Sequence, residues 1–509
     1  MKKGLQLSRL GLFAIGASLA ACGGGGNGNG GASGGVNVVT DITTTQFNDM
    51  RGIGYASNGK IYTSGASNGG GDQQIVVARF NFDGTPDQSF GTGGFATVNL
   101  AVADSNASGN ENSFAVVELA DGDVMVVAHV EDGNGGALIT AEDNAQVSAP
   151  RPDGQNVVLL RFNSDGTQDT SFGTNGVAEV VFGWPDAANG AWPVPSYNSI
   201  SGFDGDGFAK DTAYDLQLDR SGGAERVVVF GYGPAPQASG RFDRDRYVAR
   251  LNAASGAVDG AFNGGQAFSY NSPGNGTDNQ RRGVVLPDGK ILATGYTNFG
   301  GDDRHHVILI QLTADGTLDS GFTGIGDDIA PAQNGIAVFN PFQVDGGFAE
   351  AYAAQPQSDG SIVTTGYGRA TLPGTPSTLG FVESDAQDLV SFRVGNGVLD
   401  SSWGVNGNQA IQSEGQGRSS TEERGRDMVV LNDDRSVHVG RFGGDAAIYV
   451  FTADGQLDTR VSDDGIIELP NATVTQQFFA AALSPDGQRI AVSTSSDDNG
   501  ARLVVLEVD

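Results

Sequence analysis

The 509-residue chain carries 79 glycines against an apolar fraction of 38%. That is about twice the usual glycine share of ~7%, which excludes a helical bundle but leaves enough apolar residues for a core. A formal net charge of −31 excludes nucleic-acid binding through phosphate neutralisation, and a single Cys excludes both an intrachain disulfide and a cysteine-built metal site.

Residues 1–21 read as a secretory signal: a basic start at Lys2, Lys3 and Arg9, an apolar stretch from Leu10 to Leu19, then small residues. This segment is too short to span a bilayer. Leu19-Ala20-Ala21-Cys22 resembles the lipobox of bacterial lipoproteins, which implies cleavage before Cys22 and lipidation of its thiol. Gly23, where an Asp would retain the protein at the inner membrane, implies an outer-membrane address. Residues 22–35 then form a Gly-rich tether with nothing to bury, and the membrane contact expected is the lipid alone.

Residues 36–509 read as one unit built on a repeated phrase. It runs Arg79-Phe-Asn-Phe-Asp83-Gly-Thr-Pro-Asp87-Gln-Ser-Phe90-Gly and returns as Arg161-Phe-Asn-Ser-Asp165-Gly-Thr-Gln-Asp169-Thr-Ser-Phe172-Gly. The closing Asp of the phrase falls at 87, 169, 259, 319, 400 and 458, a basic period near 60 with insertions, which indicates an array of repeats. Each unit has an apolar run, a hairpin signal such as Asp121-Gly122 or Asp288-Gly289, a second run, a variable loop, a third run, the phrase and a short fourth run. Four antiparallel strands per unit is the blade of a β-propeller.

Seven hairpin signals give seven blades, the last of which, from Phe478, has only three strands of its own. Val36 to Ile42, ahead of the first hairpin, supplies the missing outer strand and removes the free edge. The expected fold is therefore all-β, a seven-bladed propeller closed by its N-terminal strand. The phrase resembles the delta-60 repeat of exported bacterial proteins, with Trp403 in place of Phe in the fifth copy. The resemblance implies a propeller and leaves the activity open.

Several residues are candidates for chemistry. The second strands of several blades end in a Gly followed by a large polar residue, Tyr232, Tyr296 and Tyr367, with His129 and Arg441 at the same position elsewhere. These side chains either line a shared polar pocket near the channel mouth or cap the strand ends. Asp204, Asp206 and Asp211 form an oxygen-rich stretch that can hold calcium or act as a polar turn. The phrase itself also places carboxylates in series, but the Arg or Gln that opens it opposes a cation and favours an Asx turn at Asp83 or Asp165. Trp184, Trp192 and Tyr197, set among prolines, can stack on sugars or anchor a protein, or can seal their own loop.

Insertions enter only between second and third strands or between blades, so one face of the ring is plain and the other elaborated. The expected function is a non-enzymatic binding or scaffold module for an envelope protein or glycan, using that face. The acidic surface suggests basic or cation-bridged ligands. The alternative is a calcium-dependent hydrolase or lactonase with its site in the central channel, for which a buried carboxylate ring on the axis would be the mark. No catalytic residue is assigned.

Overall fold

The computed structural model describes residues 35–69, 72–102, 110–131, 138–140, 155–182, 211–235, 244–273, 277–298, 304–327, 330–342, 347–369, 387–412, 423–469, 477–494 and 500–508. Short apolar runs punctuated by Asp-Gly and Asn-Gly turns fold into seven antiparallel sheets, and the described residues contain no helix. Blade 1 consists of Asp49–Tyr55, Ile61–Gly69, Asp72–Phe80 and Phe95–Val98, hydrogen-bonded in that order. Blades 2, 3, 4 and 6 repeat the pattern with first strands Asn110–Glu118, Thr212–Asp219, Thr277–Val285 and Arg424–Val430. In blade 5 the first strand is split into Phe348–Ala349 and Ala353–Pro356. First strands of successive blades touch one another around the ring, through to blade 7 against blade 1, and so line the central channel.

Blade 7 has Phe478–Leu483, Arg489–Thr494 and Ala501–Val508, and its outer strand is Val36–Thr44. Val36 faces Val508 and Thr44 faces Ala501, with one irregularity between Val38 and Thr40. Arg502 Nε donates to Asp41 Oδ1 at 3.1 Å across this seam. The N-terminal closure expected from the sequence is present, and it runs two residues beyond Ile42. A second pairing, Leu100–Val102 with Leu138–Thr140, links the blade 1 to blade 2 connection to the loop inside blade 2.

The core is divided among the blade interfaces. One cluster joins Ile75, Val77 and Phe90 of blade 1 to Val124, Val126 and Val158 of blade 2, and corresponding clusters lie at the other interfaces, through to Met50 and Val76 against Leu503 and Val505. A middle strand packed on both faces cannot alternate apolar with polar, so Gln155–Phe162 is buried along its whole length.

The repeated phrase is the clamp between blades. Asp83 Oδ1 accepts from the Thr85 amide and hydroxyl, closing the Asx turn, as Asp165 does with Thr167. Asp87 accepts from Ser89 on one oxygen and from Arg79 Nε at 2.5 Å on the other. The geometry favours the turn over the cation site, since the Arg guanidinium occupies the place a metal would need. Phe90 is buried against Gly166 of the next blade, where a Cβ would lie 2.4 Å from the Gly91 nitrogen, and Gly91 N–H donates to Asp165 O at 2.6 Å. Phe172 on Gly256, Phe262 on Gly316, Phe322 on Gly397 and Trp403 on Gly455 repeat the joint.

Candidate functional site

The first strands share an irregularity that builds the site. In blade 1, Met50 faces Gly65 and Gly52 faces Ser64, so Arg51 has no partner across the ladder. The same bulge leaves out Phe114 in blade 2, Tyr214 in blade 3, Arg281 and Arg282 in blade 4, Arg426 in blade 6 and Phe479 in blade 7. In blade 5 the break in the first strand does the same for Tyr352. A bulge re-aims the extra side chain, and here every blade aims a large one at the axis.

The second strand makes room for this. Opposite the bulge, a Cβ on Gly231 would sit 2.1 Å from Thr212 O and one on Gly295 2.0 Å from Asn279 O, distances no side chain tolerates. The Gly that precedes Tyr232, Tyr296 and Tyr367 is therefore required by the bulge rather than by a ligand.

The bulged residues form a crown of guanidinia and rings around a cavity of about 320 Å³, lined by Arg51, Phe114, Tyr214, Arg281, Arg282, Tyr352, Arg426 and Phe479 together with Gln477. The Arg51 guanidinium stands over Phe114 at 5.1 Å and Phe479 at 4.7 Å; Arg281 stands over Tyr214 and Tyr352, both at 4.7 Å. Arg426 stands over Tyr352 at 4.9 Å and Phe479 at 5.8 Å. Such contacts are worth about 0.5–2 kcal/mol each and hold the guanidinium planes in place.

The second-strand residues singled out from the sequence stand behind this crown. Tyr296 accepts from Arg281 at 2.8 Å, and the hydroxyls of Tyr232 and Tyr367 lie 3.3 and 3.0 Å from those of Tyr214 and Tyr352. His129 stacks on Phe114 at 4.3 Å, and its Nε2 meets the Ala213 backbone, 2.6 Å from the carbonyl oxygen and 2.8 Å from the amide nitrogen. Burial pushes its pKa down to about 4, so it is neutral at pH 7. Four of the five residues thus support the pocket rather than line it, while half-buried Arg441, across the ladder from Arg424, does not join the lining.

Electrostatics separates the crown arginines from the rest. Most arginines of the clamps are paired with carboxylates, as Arg250 is with Asp219 and Asp259. Arg281 and Arg426 pair with no carboxylate among the described residues; Arg426 Nε meets only Gln477 at 3.1 Å, and Arg281 Nε has no hydrogen-bond partner. Burial, with Arg424 and Arg281 nearby, holds Arg426 below the usual arginine range. Burial would raise the Tyr214 phenol, but Arg281, Tyr232 and Arg51 beside it hold it below its ordinary value.

Arg282 closes the floor. It donates to Phe479 O at 2.8 Å across the channel and stands 3.7 and 3.4 Å from Asp215 and Asp427. Beyond it lies a second cavity of about 290 Å³ toward the plain face, lined in part by Asp215, Gln217, Gln355 and Asp427. Burial pushes Asp427 up to about 6 and raises Asp215, with Arg282 opposing both. Each carboxylate also accepts an amide of the neighbouring blade, Gly283 for Asp215 and Ala481 for Asp427. These two are the acids nearest the axis, and a guanidinium rather than an open cradle lies between them. Among the described residues no group of three or more His, Cys, Asp or Glu can hold a metal.

Trp184, Trp192, Tyr197, Asp204 and Asp206 lie outside the described residues. Asp211 is buried, accepts from the Phe182 amide at 3.3 Å and gives its carbonyl to Gln155, tying blade 3 to blade 2.

The crown lies at the start of the first strands and the end of the second, the end from which the long insertions leave. Sequence reasoning located this face but not the crown residues. Among the described residues the lining of this cavity carries Arg51, Arg281, Arg282 and Arg426 and no carboxylate, in a chain of net charge −31. Charge summed over a chain says nothing of where the few positive groups gather.

A family model described as "Domain of unknown function (DUF5122) beta-propeller" matches residues 56–90, 153–172 and 286–322, well under half of the chain. No curated protein sequence matches. Among solved structures, the chain is similar to a crystal structure of polysaccharide lyase Uly1, at 11% identity over 91% of this chain and 90% of that one with a TM-score of 0.45. It is also similar to a chain of the Mitotic Checkpoint Complex, at 10% identity over 99% of each with a TM-score of 0.38. The topology is that of a seven-bladed β-propeller, and the repeats and the family match agree on a propeller.

Proposed function

We propose that the protein is an envelope-anchored binding module that holds an anionic partner at the mouth of its central channel and does no chemistry on it. The observation that carries this is the set of guanidinia of Arg51, Arg281 and Arg426 converging on one cavity, two of them without a carboxylate, in a chain of net charge −31. Gathering like charges in a half-buried well costs free energy in the unliganded protein, and an arriving anion offsets that cost. The test is thermal unfolding with low-millimolar sulfate and citrate, too dilute for their general stabilising effect: each should raise the midpoint of the wild type and leave Arg281→Gln/Arg426→Gln almost unchanged. Equal shifts in both would sink the reading.

The delta-60 likeness of the phrase and the lipobox at Cys22 support an outer-membrane lipoprotein tethered through residues 22–35. Fractionation of a Cys22→Ser variant tests the anchor. Release from membranes is expected, and equal retention contradicts it. Trp184, Trp192 and Tyr197 belong by sequence to the elaborated face and are proposed to extend the contact beyond the well.

A further inference from the structure

We infer that the anion taken by the channel mouth is the acidic end of a polysaccharide, a terminal uronate sugar inserted end-on into the crown. This rests on the reading above and narrows it to one ligand class.

The shape of the site comes first. Seven blades each contribute one crown position, so the site is a round well rather than a groove. Arg282, held by Phe479 O, Asp215 and Asp427, lies across its floor. A closed well admits the end of a chain and prevents threading. Its volume of about 320 Å³ lies at the small end of the ~300–1,000 Å³ of small-molecule sites, which suits a sugar unit or two.

The lining then narrows the chemistry. Ring faces are already engaged: Phe114 carries Arg51 and His129, and Tyr352 carries Arg281 and Arg426. A ligand that binds by stacking flat aromatic bases finds those faces taken. What the crown offers instead is guanidinium N–H edges, with Arg281 Nε and the terminal nitrogens of Arg51 and Arg426 unpaired among the described residues. Stacked guanidinia present their edges as forks for carboxylate oxygens. The Tyr214 hydroxyl and the Gln477 amide add neutral hydrogen-bonding groups of the kind that hydroxyls require. A pyranose bearing a carboxylate carries its charge and its hydroxyls on one compact ring, which matches a well with forks spaced around its rim. An acidic peptide presents charge on an extended main chain for which the well has no slot.

The experiment is titration calorimetry of the chain from residue 23 with three probes: tetragalacturonate, the same tetramer with its carboxyls methyl-esterified, and tetra-aspartate. The acidic tetramer should bind at one per protein, and esterification or Arg281→Gln/Arg426→Gln should weaken it at least tenfold. Longer galacturonate chains should take no more protein per chain than the tetramer does, since only chain ends fit. Should the double variant fail to fold, Arg426→Gln alone carries the comparison. Tetra-aspartate binding as tightly as the sugar overturns the glycan assignment and leaves the anion-binding reading standing. Stoichiometry that grows with chain length overturns end-on insertion. Loss of binding by both acidic probes, or an ester that binds equally well, overturns the inference and the anion reading together.

Discussion

Replacing Arg426 by Gln separates a functional charge from a structural one. Arg426 and Arg281 lie within 4.9 and 4.7 Å of the centre of the same Tyr352 ring, so their charges are no more than about 10 Å apart. At an effective dielectric of ~20, two such charges repel by about 1.7 kcal/mol or more. Arg51 shares the Phe479 ring with Arg426 in the same way, but its ion pair with Asp49 cancels most of its repulsion. Against this roughly 2 kcal/mol stand the cation–π contacts and the bond to Gln477, together about 2–3 kcal/mol in the opposite sense. Arg426→Gln should therefore leave the unliganded protein within about 1 kcal/mol of the wild type, while removing its response to anions. Urea unfolding at low ionic strength, with and without citrate, reads both quantities. A loss of more than about 2 kcal/mol without any anion would show that Arg426 holds the fold together and refute the repulsion argument.

Three further outcomes follow from the fold. Phe90→Ala should cost about 3–5 kcal/mol, because the ring is fully buried at a blade joint, and Gly166→Ala should cost about 2 kcal/mol or more, since φ is +86° there; urea midpoints check both. Removing residues 36–44 strips eight paired positions from Ala501–Val508 and should lower the unfolding free energy by about 4 kcal/mol or more and promote edge-to-edge association; an unchanged melting midpoint contradicts the closure. Burial puts the folded-state pKa of His129 near 4 against about 6.5 unfolded, so the folded state holds fewer protons between those values and its stability falls as pH drops through them, by about 3 kcal/mol in all. Asp427, raised to about 6, acts in the opposite direction between about pH 4 and 6, so the His129 share is read as the difference in acid slope between wild type and His129→Gln.

The blades, their joints and the N-terminal closure were legible because they rest on local, repeated chemistry: Asp-Gly turns, the Asp that bonds Arg79, and an aromatic followed by Gly at Phe90. The crown was not, because a bulge adds one residue without altering composition, and its seven residues are of three types. A signal was nevertheless present. Aligning first strands sets Arg51-Gly52, Phe114-Ala115, Tyr214-Asp215, Arg282-Gly283, Tyr352-Ala353, Arg426-Asp427 and Phe479-Ala480 in one column: a large side chain, then a small one or an Asp. The glycines before Tyr232, Tyr296 and Tyr367 mark the same feature from the second strand, where the sequence leaves a pocket lining and a strand-end cap both open. Tyr296 and Tyr367 are one layer behind it, and Arg441 fell in the same column without joining the site.

The central claim, that the channel mouth holds an anion, is tested most directly by anomalous diffraction from crystals equilibrated with low selenate. The account expects a selenium peak in the well, within hydrogen-bond reach of the Arg281 and Arg426 guanidinia, that disappears in Arg281→Gln/Arg426→Gln. Selenate found only on the outer surface, with the well filled by water, would contradict it.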